Sequence, residues 1–254
     1  MTTTILKRVR MGAGIGAALL VVACGSQAPG GGDTGTGGAG GPQQDTNVCT
    51  LAFPTTDLCT QAMGEEKGEV LTANATETAL VAYLNEVRTR GTLDGLTYHK
   101  VAGEAYPIFP NNDTSCRPGF TGGLKLVTFE GHIHYVARKH SEYLTINKLV
   151  AGENETHDED STLPGFRGKY IIDRYKVSGI PTNNAGGGEV VISGHNSKDP
   201  RKTAYQAIFA FMRSKGHCQS LMYDKTVYFA PGVVRKSIDE TSDWVSITIN
   251  TWDN

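Results

Sequence analysis

His217 and Cys218 stand side by side in Phe211-Met-Arg-Ser-Lys-Gly-His-Cys-Gln-Ser-Leu-Met222. A histidine changes charge near neutral pH and can carry a proton or hold a metal. A cysteine in an exported chain most often serves a disulfide. A second histidine, His157, lies in Ala151-Gly-Glu-Asn-Glu-Thr-His-Asp-Glu-Asp160, with five acidic residues in ten positions. Their oxygens could hold a hard cation, but the spacing does not match an EF-hand loop. The acids therefore read as a solvated loop, and His157 is set apart from them. His140-Ser141 is a third pair. His140 falls on the inner stripe of a helical pattern and reads as a satisfied structural histidine. Ser141 sits mid-helix without a nucleophile elbow, so it reads as a packing hydroxyl rather than a nucleophile.

Two function classes are excluded early. The 254 residues carry a formal net charge of -2, with no basic run beyond the first ten, so nucleic acid is not an expected partner. Asn183-Asn-Ala-Gly-Gly-Gly188 is glycine-rich but lacks the Lys-Ser/Thr of a phosphate-binding loop, which excludes nucleotide binding.

The N-terminus reads as an export signal. Lys7, Arg8 and Arg10 precede an apolar stretch, Met11 to Ala23, too short to span a bilayer. It ends Val21-Val22-Ala23-Cys24, small residues before a cysteine, which resembles a lipobox. Residues 1–23 are thus expected to be a lipoprotein signal peptide, with Cys24 acylated as the membrane anchor. Removing them takes three of the 24 basic residues and none of the 26 acidic ones, leaving a net charge of about -5. Gly25 to Asn47 is a Gly-rich linker, reaching on the order of 25 Å. The expected location is the bacterial cell envelope, extracytoplasmic, with the folded domain over residues 48–254.

Four cysteines remain: Cys49, Cys59, Cys116 and Cys218. An even count in an exported chain reads as two disulfides, with three pairings open. Closeness in sequence favours Cys49–Cys59, which leaves Cys116–Cys218. No Cys-x-x-Cys supports a structural zinc site.

The elements that must position these residues follow from periodicity. Leu80, Tyr83, Leu84 and Val87 recur at helical spacing, in a helix opening near Ala75 and stopped by Gly91. Residues 92–123, with three prolines, read as a long loop pinned by Cys116. A second helix spans about Phe129 to Asn147, with Ile133, Val136, Ala137, His140, Ser141 and Leu144 inward; His132 and His134 are expected in solvent. Phe166 to Tyr175 is a third helix, ending at Gly179-Ile180-Pro181. A fourth has Asp199 as N-cap and Pro200 in its first turn, with Ala204, Ile208 and Phe211 inward and Gly216 as its stop. His217 then follows a helix C-terminus, where the dipole favours its protonated form. Glu189–Ser193, Thr226–Ala230 and Asp243–Asn250 read as strands. The pattern is an α+β layered domain.

With these pieces placed, the chain resembles the CAP superfamily (the SCP domain of cysteine-rich secretory, antigen five and pathogenesis-related proteins). Asn85-Glu-Val-Arg88 resembles its first-helix Asn-x-x-Arg, and Ala137-Arg-Lys-His140-Ser141 its Ala-x-x-His-Ser. Asp173-Arg174 with Gly179 resembles its next helix. Gly188-Glu189 resembles the Gly-Glu-Asn strand entry, and Phe211 to His217 the bacterial Trp-x-x-Ser-x-Gly-His segment. The match covers about residues 70–252. Val190 and Phe211 depart from the pattern, and the family's second tetrad glutamate has no counterpart. The resemblance implies a three-layer α-β-α sandwich with an open cleft holding His157, Glu189 and His217. It implies these three as ligands for zinc or another divalent cation, with one position open. It further implies an envelope binding module, for an apolar small molecule, an envelope component or a metal. The alternative it implies is a metal-assisted hydrolase of envelope peptide or polymer.

Overall fold

The computed structural model describes residues 73–113, 115–150, 156–180, 182 and 187–253. The expected signal peptide, the Cys24 anchor, the linker and the expected Cys49–Cys59 pair lie outside the described residues, as do residues 151–155 and 183–186.

Helix α1, Ala75–Arg90, begins because Asn74 caps it. The Asn74 side chain accepts from the Thr76 and Glu77 amides, and Glu77 returns a bond to the Asn74 amide. This reciprocal capping box satisfies donors that a helix start leaves open. Gly91 ends the helix at φ 67°, a left-handed conformation that favours glycine.

Residues 92–123 are less irregular than expected. Strand β1, Tyr98–Val101, pairs antiparallel with β2, Glu104–Pro107. Ala102 and Gly103, both at positive φ (51° and 89°), make the two-residue turn. Ala102 is the reason the hairpin was hidden, since alanine seldom marks such a turn.

The main sheet runs β3-β5-β6-β4. Here β3 is Thr128–Phe129, β4 Glu189–Ser197, β5 Thr226–Ser237 and β6 Ser242–Asp253. β5 continues through Pro231-Gly232, where a strand end was expected. β3 pairs only with Tyr228 and Phe229, so beyond them β5 is the outer strand of this sheet, where proline is tolerated.

Helices cover both faces. Val245, Ile247 and Ile249 of β6 join Leu80, Leu84 and Val87 of α1 and Ile208 and Phe211 of α4, Pro200–Arg213, in one apolar core. The alternate residues Ser246, Thr248 and Asn250 face α2, Gly131–Ile146, and are fully buried. Ser141 donates to the Gly232 carbonyl and shares a hydroxyl–hydroxyl bond with Thr248, and Thr145 shares one with Ser246. The short α3, Ile171–Val177, joins α2 on this side through Tyr175 and Ile133. The layers are therefore α1/α4, sheet, α2/α3: the α+β, three-layer α-β-α arrangement. α2 lies so close to β5 that a Cβ at Gly232 would fall 2.1 Å from the Arg138 amide nitrogen.

His132 and His134 are not in solvent; both are buried. His132 bonds Glu130, and His134 lies 3.1 Å from Glu77. Arg138 also pairs with Glu77, whose Oε1 accepts from the Val233 amide at 2.7 Å. One buried carboxylate thus ties α1, α2 and β5 together. Burial raises its pKa, but the bonds from His134 and Arg138 outweigh this and leave it below the usual value.

Candidate functional site

Glu189 opens the edge strand β4. The chain reaches it by a close approach: a Cβ at Gly187 would lie 2.3 Å from the Thr251 carbonyl oxygen. The next residue, Gly188, accepts from the Thr251 amide and donates its own amide to the Thr251 hydroxyl, which sets the direction of the strand. Glu189 pairs with Asn250 in register and faces the α2/α3 layer.

Three cationic or proton-bearing groups meet its carboxylate. Arg174 of α3 donates from Nη2 to Oε2 at 2.6 Å. His157 Nδ1 lies 3.2 Å from Oε1, and His140 Nε2 3.8 Å from the same oxygen. Burial raises the pKa of Glu189, yet Arg174, then His140 and His157, more than offset it and hold it well below the carboxylate range. Arg174 also donates to the His157 and Lys169 carbonyls, so one buried guanidinium fixes both the carboxylate and the segment bearing His157.

A second carboxylate backs the first. Glu159 Oε1 lies 2.9 Å from His140 Nδ1 and 3.8 Å from Arg174 Nε, and Oε2 accepts from the Arg167 amide at 2.6 Å. The other His140 nitrogen faces the Thr156 carbonyl at 2.8 Å. A carbonyl only accepts, so Nε2 must donate there. The Nδ1 bond to Glu159 then needs a proton of its own, on the ring or the acid. The expectation of a solvated acidic loop fails at this residue: Glu159 is 2 % exposed. His140 is the organising reason, because an inward histidine at a helix face needs an acceptor.

His217 corrects another expectation. Helix α4 stops at Arg213, Ser214 breaks the path, and a new turn, α5 (Lys215–Leu221), carries His217 inside it. Gly216 is no terminator, and the carboxyl-end dipole argument does not apply. The ring is buried against Phe211, edge-on at 5.3 Å between centroids. Burial, helped by His157, pushes its pKa down to about 4, so it is neutral at physiological pH. Neither ring nitrogen has a hydrogen-bond partner among the described residues. The next residue, Cys218, is bonded to Cys116, with Cα atoms 5.7 Å apart, and Arg117 donates to the Met222 carbonyl at 2.9 Å. These two links hold α5 in place.

The rings of His157 and His217 are 6.5 Å apart between centroids. Burial lowers the pKa of His157, but the bond to Glu189 and its charge outweigh this and raise it. The site therefore pairs an imidazole whose charged form Glu189 favours with one that stays neutral. Protonated, the first offers donors only; the second offers one donor and one acceptor.

The structure brings His157, Glu189 and His217 to one place, but not as a ligand set. Glu189 spends one oxygen on Arg174 and the other on His157, and a guanidinium at 2.6 Å would stand beside any metal. Among the described residues no group of three His, Cys, Asp or Glu side chains is placed to hold an ion. The residues in this arrangement do not fit zinc. Ser141 does not face the cleft, being engaged with Gly232 and Thr248. No described helix is long and apolar enough to cross a membrane.

No protein-family model and no curated protein matches the chain. Two solved structures are similar in part. One is an extracellular protein containing an SCP domain from Bacillus anthracis str. Ames, with TM-score 0.37 and 17% identity. That likeness covers 52% of this chain and 35% of the other, about a third of its length. The second is NaASP2 with Zn2+, with TM-score 0.33 and 13% identity, covering 70% of this chain and 76% of that one. The layer order above stands on this chain's own register and packing.

Proposed function

We propose that the protein is a binding module of the CAP/SCP type in the cell envelope, held at the membrane through Cys24. Its site recognises a polar ligand through the partly exposed His157, which the buried ring of His217 backs. The observation that carries this reading is the commitment of Glu189. A carboxylate clamped by Arg174 and bonded to His157 is a fixed support, not a free base or metal ligand. What remains for a ligand is His157, a partly exposed donor whose charged form Glu189 favours, while the neutral ring of His217 beside it is buried. The cleft's described side chains supply no nucleophile with an activating base, which sets acyl-transfer chemistry aside.

The test is native mass spectrometry of the full chain expressed for export, beside the His157→Ala/His217→Ala double variant, with circular dichroism confirming that both fold. A copurifying small-molecule mass that is lost in the variant supports the reading. A metal-sized mass lost in the variant overturns it in favour of a metal-assisted hydrolase. A bare mass for the parent chain rejects a tightly held cleft ligand.

A further inference from the structure

Asn250 lies in the middle of β6 and is fully buried. Neither atom of its side-chain amide has a partner among the described residues. An amide in the interior without hydrogen bonds is costly and calls for a cause. Its position indicates one. β6 lies between β4 and β5, and in register Asn250 sits opposite Glu189 on one side and Ala230 on the other. Directly opposed residues point to the same face, with Cβ atoms about 5 Å apart. Asn250 is thus the sheet floor next to the cleft carboxylate.

A second polar group reaches the same side. Tyr175 of α3 is buried in the cluster that contains Ala230, and its hydroxyl also has no partner among the described residues. Ala230 is the β5 register partner of Asn250, so Tyr175 packs at the same patch of the sheet floor. So a floor amide next to Glu189 and a phenol from a separate element share one patch of the sheet with their polar atoms uncommitted.

Enclosure decides what they can take. The uncommitted atoms of Asn250 and Tyr175 have essentially no solvent exposure, so a ligand lying in the cleft cannot touch them. An occupant must be enclosed, must both donate and accept, and must satisfy two to four polar groups. An internal water meets all three conditions. We propose that Asn250, Tyr175 and Glu189 form a buried subsite for one long-lived water, which gives the cleft carboxylate a polar back wall. The subsite requires Glu189 to be fixed where it is, but no cleft ligand, so it stands or fails separately from the binding reading.

Oxygen-17 magnetic relaxation dispersion counts slowly exchanging internal waters in the folded full chain. Asn250→Leu is expected to reduce the dispersion amplitude by one water. Tyr175→Phe, which removes a single oxygen and serves if the leucine variant fails to fold, is expected to remove the same one. The double variant then loses one water, not two. An unchanged amplitude in either folded single variant, or a loss of two waters in the double variant, would overturn the subsite.

Discussion

Arg174→Met tests what holds the cleft together. The guanidinium is 1 % exposed and donates to Glu189, to the His157 carbonyl and to the Lys169 carbonyl. Methionine approximates the length of the side chain without its donors. Breaking a buried ion pair by removing one partner costs about 3–5 kcal/mol, because the surviving charge stays buried. At about 2 kcal/mol per molar urea, the unfolding midpoint at pH 7 should fall by roughly 1.5–2.5 M. The pH dependence separates charge from packing. In the parent chain Glu189 has a folded pKa below its ordinary 4.5, so the unfolded state binds more protons. The stability tied to it is present above about pH 4.5 and is lost as pH falls toward the folded value. In the variant burial is no longer opposed by Arg174, the folded pKa moves up, and protonation relieves the buried charge on acidification. The gap between the two proteins must therefore be widest near pH 7 and narrow toward pH 3.5. Urea titrations followed by circular dichroism at the two pH values read this directly. A loss under about 1 kcal/mol at pH 7, or a gap that does not narrow in acid, would refute the ion pair as the support of the site.

Two further outcomes follow from the same geometry. Gly232→Ala places a methyl 2.1 Å from the Arg138 nitrogen and 2.2 Å from the Ala137 carbonyl carbon, both backbone atoms that cannot swing aside. A cost of about 3 kcal/mol, at the upper end for overpacking, should lower the thermal midpoint by roughly 6–12 °C; an unchanged midpoint would mean that α2 does not rest on β5. Ring-proton NMR should show His217 neutral down to about pH 4 and His157 titrating above its ordinary 6.5. Their stability contributions then have opposite signs: that of His217 is lost as pH falls from 6.5 toward 4, and that of His157 as pH rises through its folded value. Interchanged titrations would reject the assignment of charged and neutral rings.

The helices were legible where one apolar face met a cap. Leu80, Tyr83, Leu84 and Val87 mark α1, and Asn74 and Gly91 bound it because capping is local chemistry. The strands were legible at their cores but not at their ends. β5 runs on through Pro231-Gly232 because its outer side lacks a strand there, a fact about topology rather than composition. The cleft histidines were visible only through an ordered resemblance; what encloses them was not. Arg174 is 15 residues from Glu189 and His140 is 19 from Glu159, with turns between, so no period links the pairs. A signal did exist for Glu159. Once His140 is placed inward, both of its nitrogens need partners, and the acidic run is the nearest source. The same argument applies to His132 and His134, each answered by a glutamate.

The polar side of the sheet explains why the Glu189 site lies where it does. β6 alternates so that Val245, Ile247 and Ile249 enter a dry core with α1 and α4, while Ser246, Thr248 and Asn250 face α2. An apolar helix laid on that second face would leave those groups unpaired. α2 instead supplies Ser141 and Thr145 to Thr248 and Ser246, hydroxyl to hydroxyl. Along this row the polar residues run from Ser246 through Thr248 to Asn250, and there they meet Glu189. Arg174 and His140 can be buried beside Glu189 because the floor is already polar; on the opposite face the same charges would face only aliphatic side chains. The site is thus the end of an internal polar seam, and its two histidines stand where that seam reaches the edge strand.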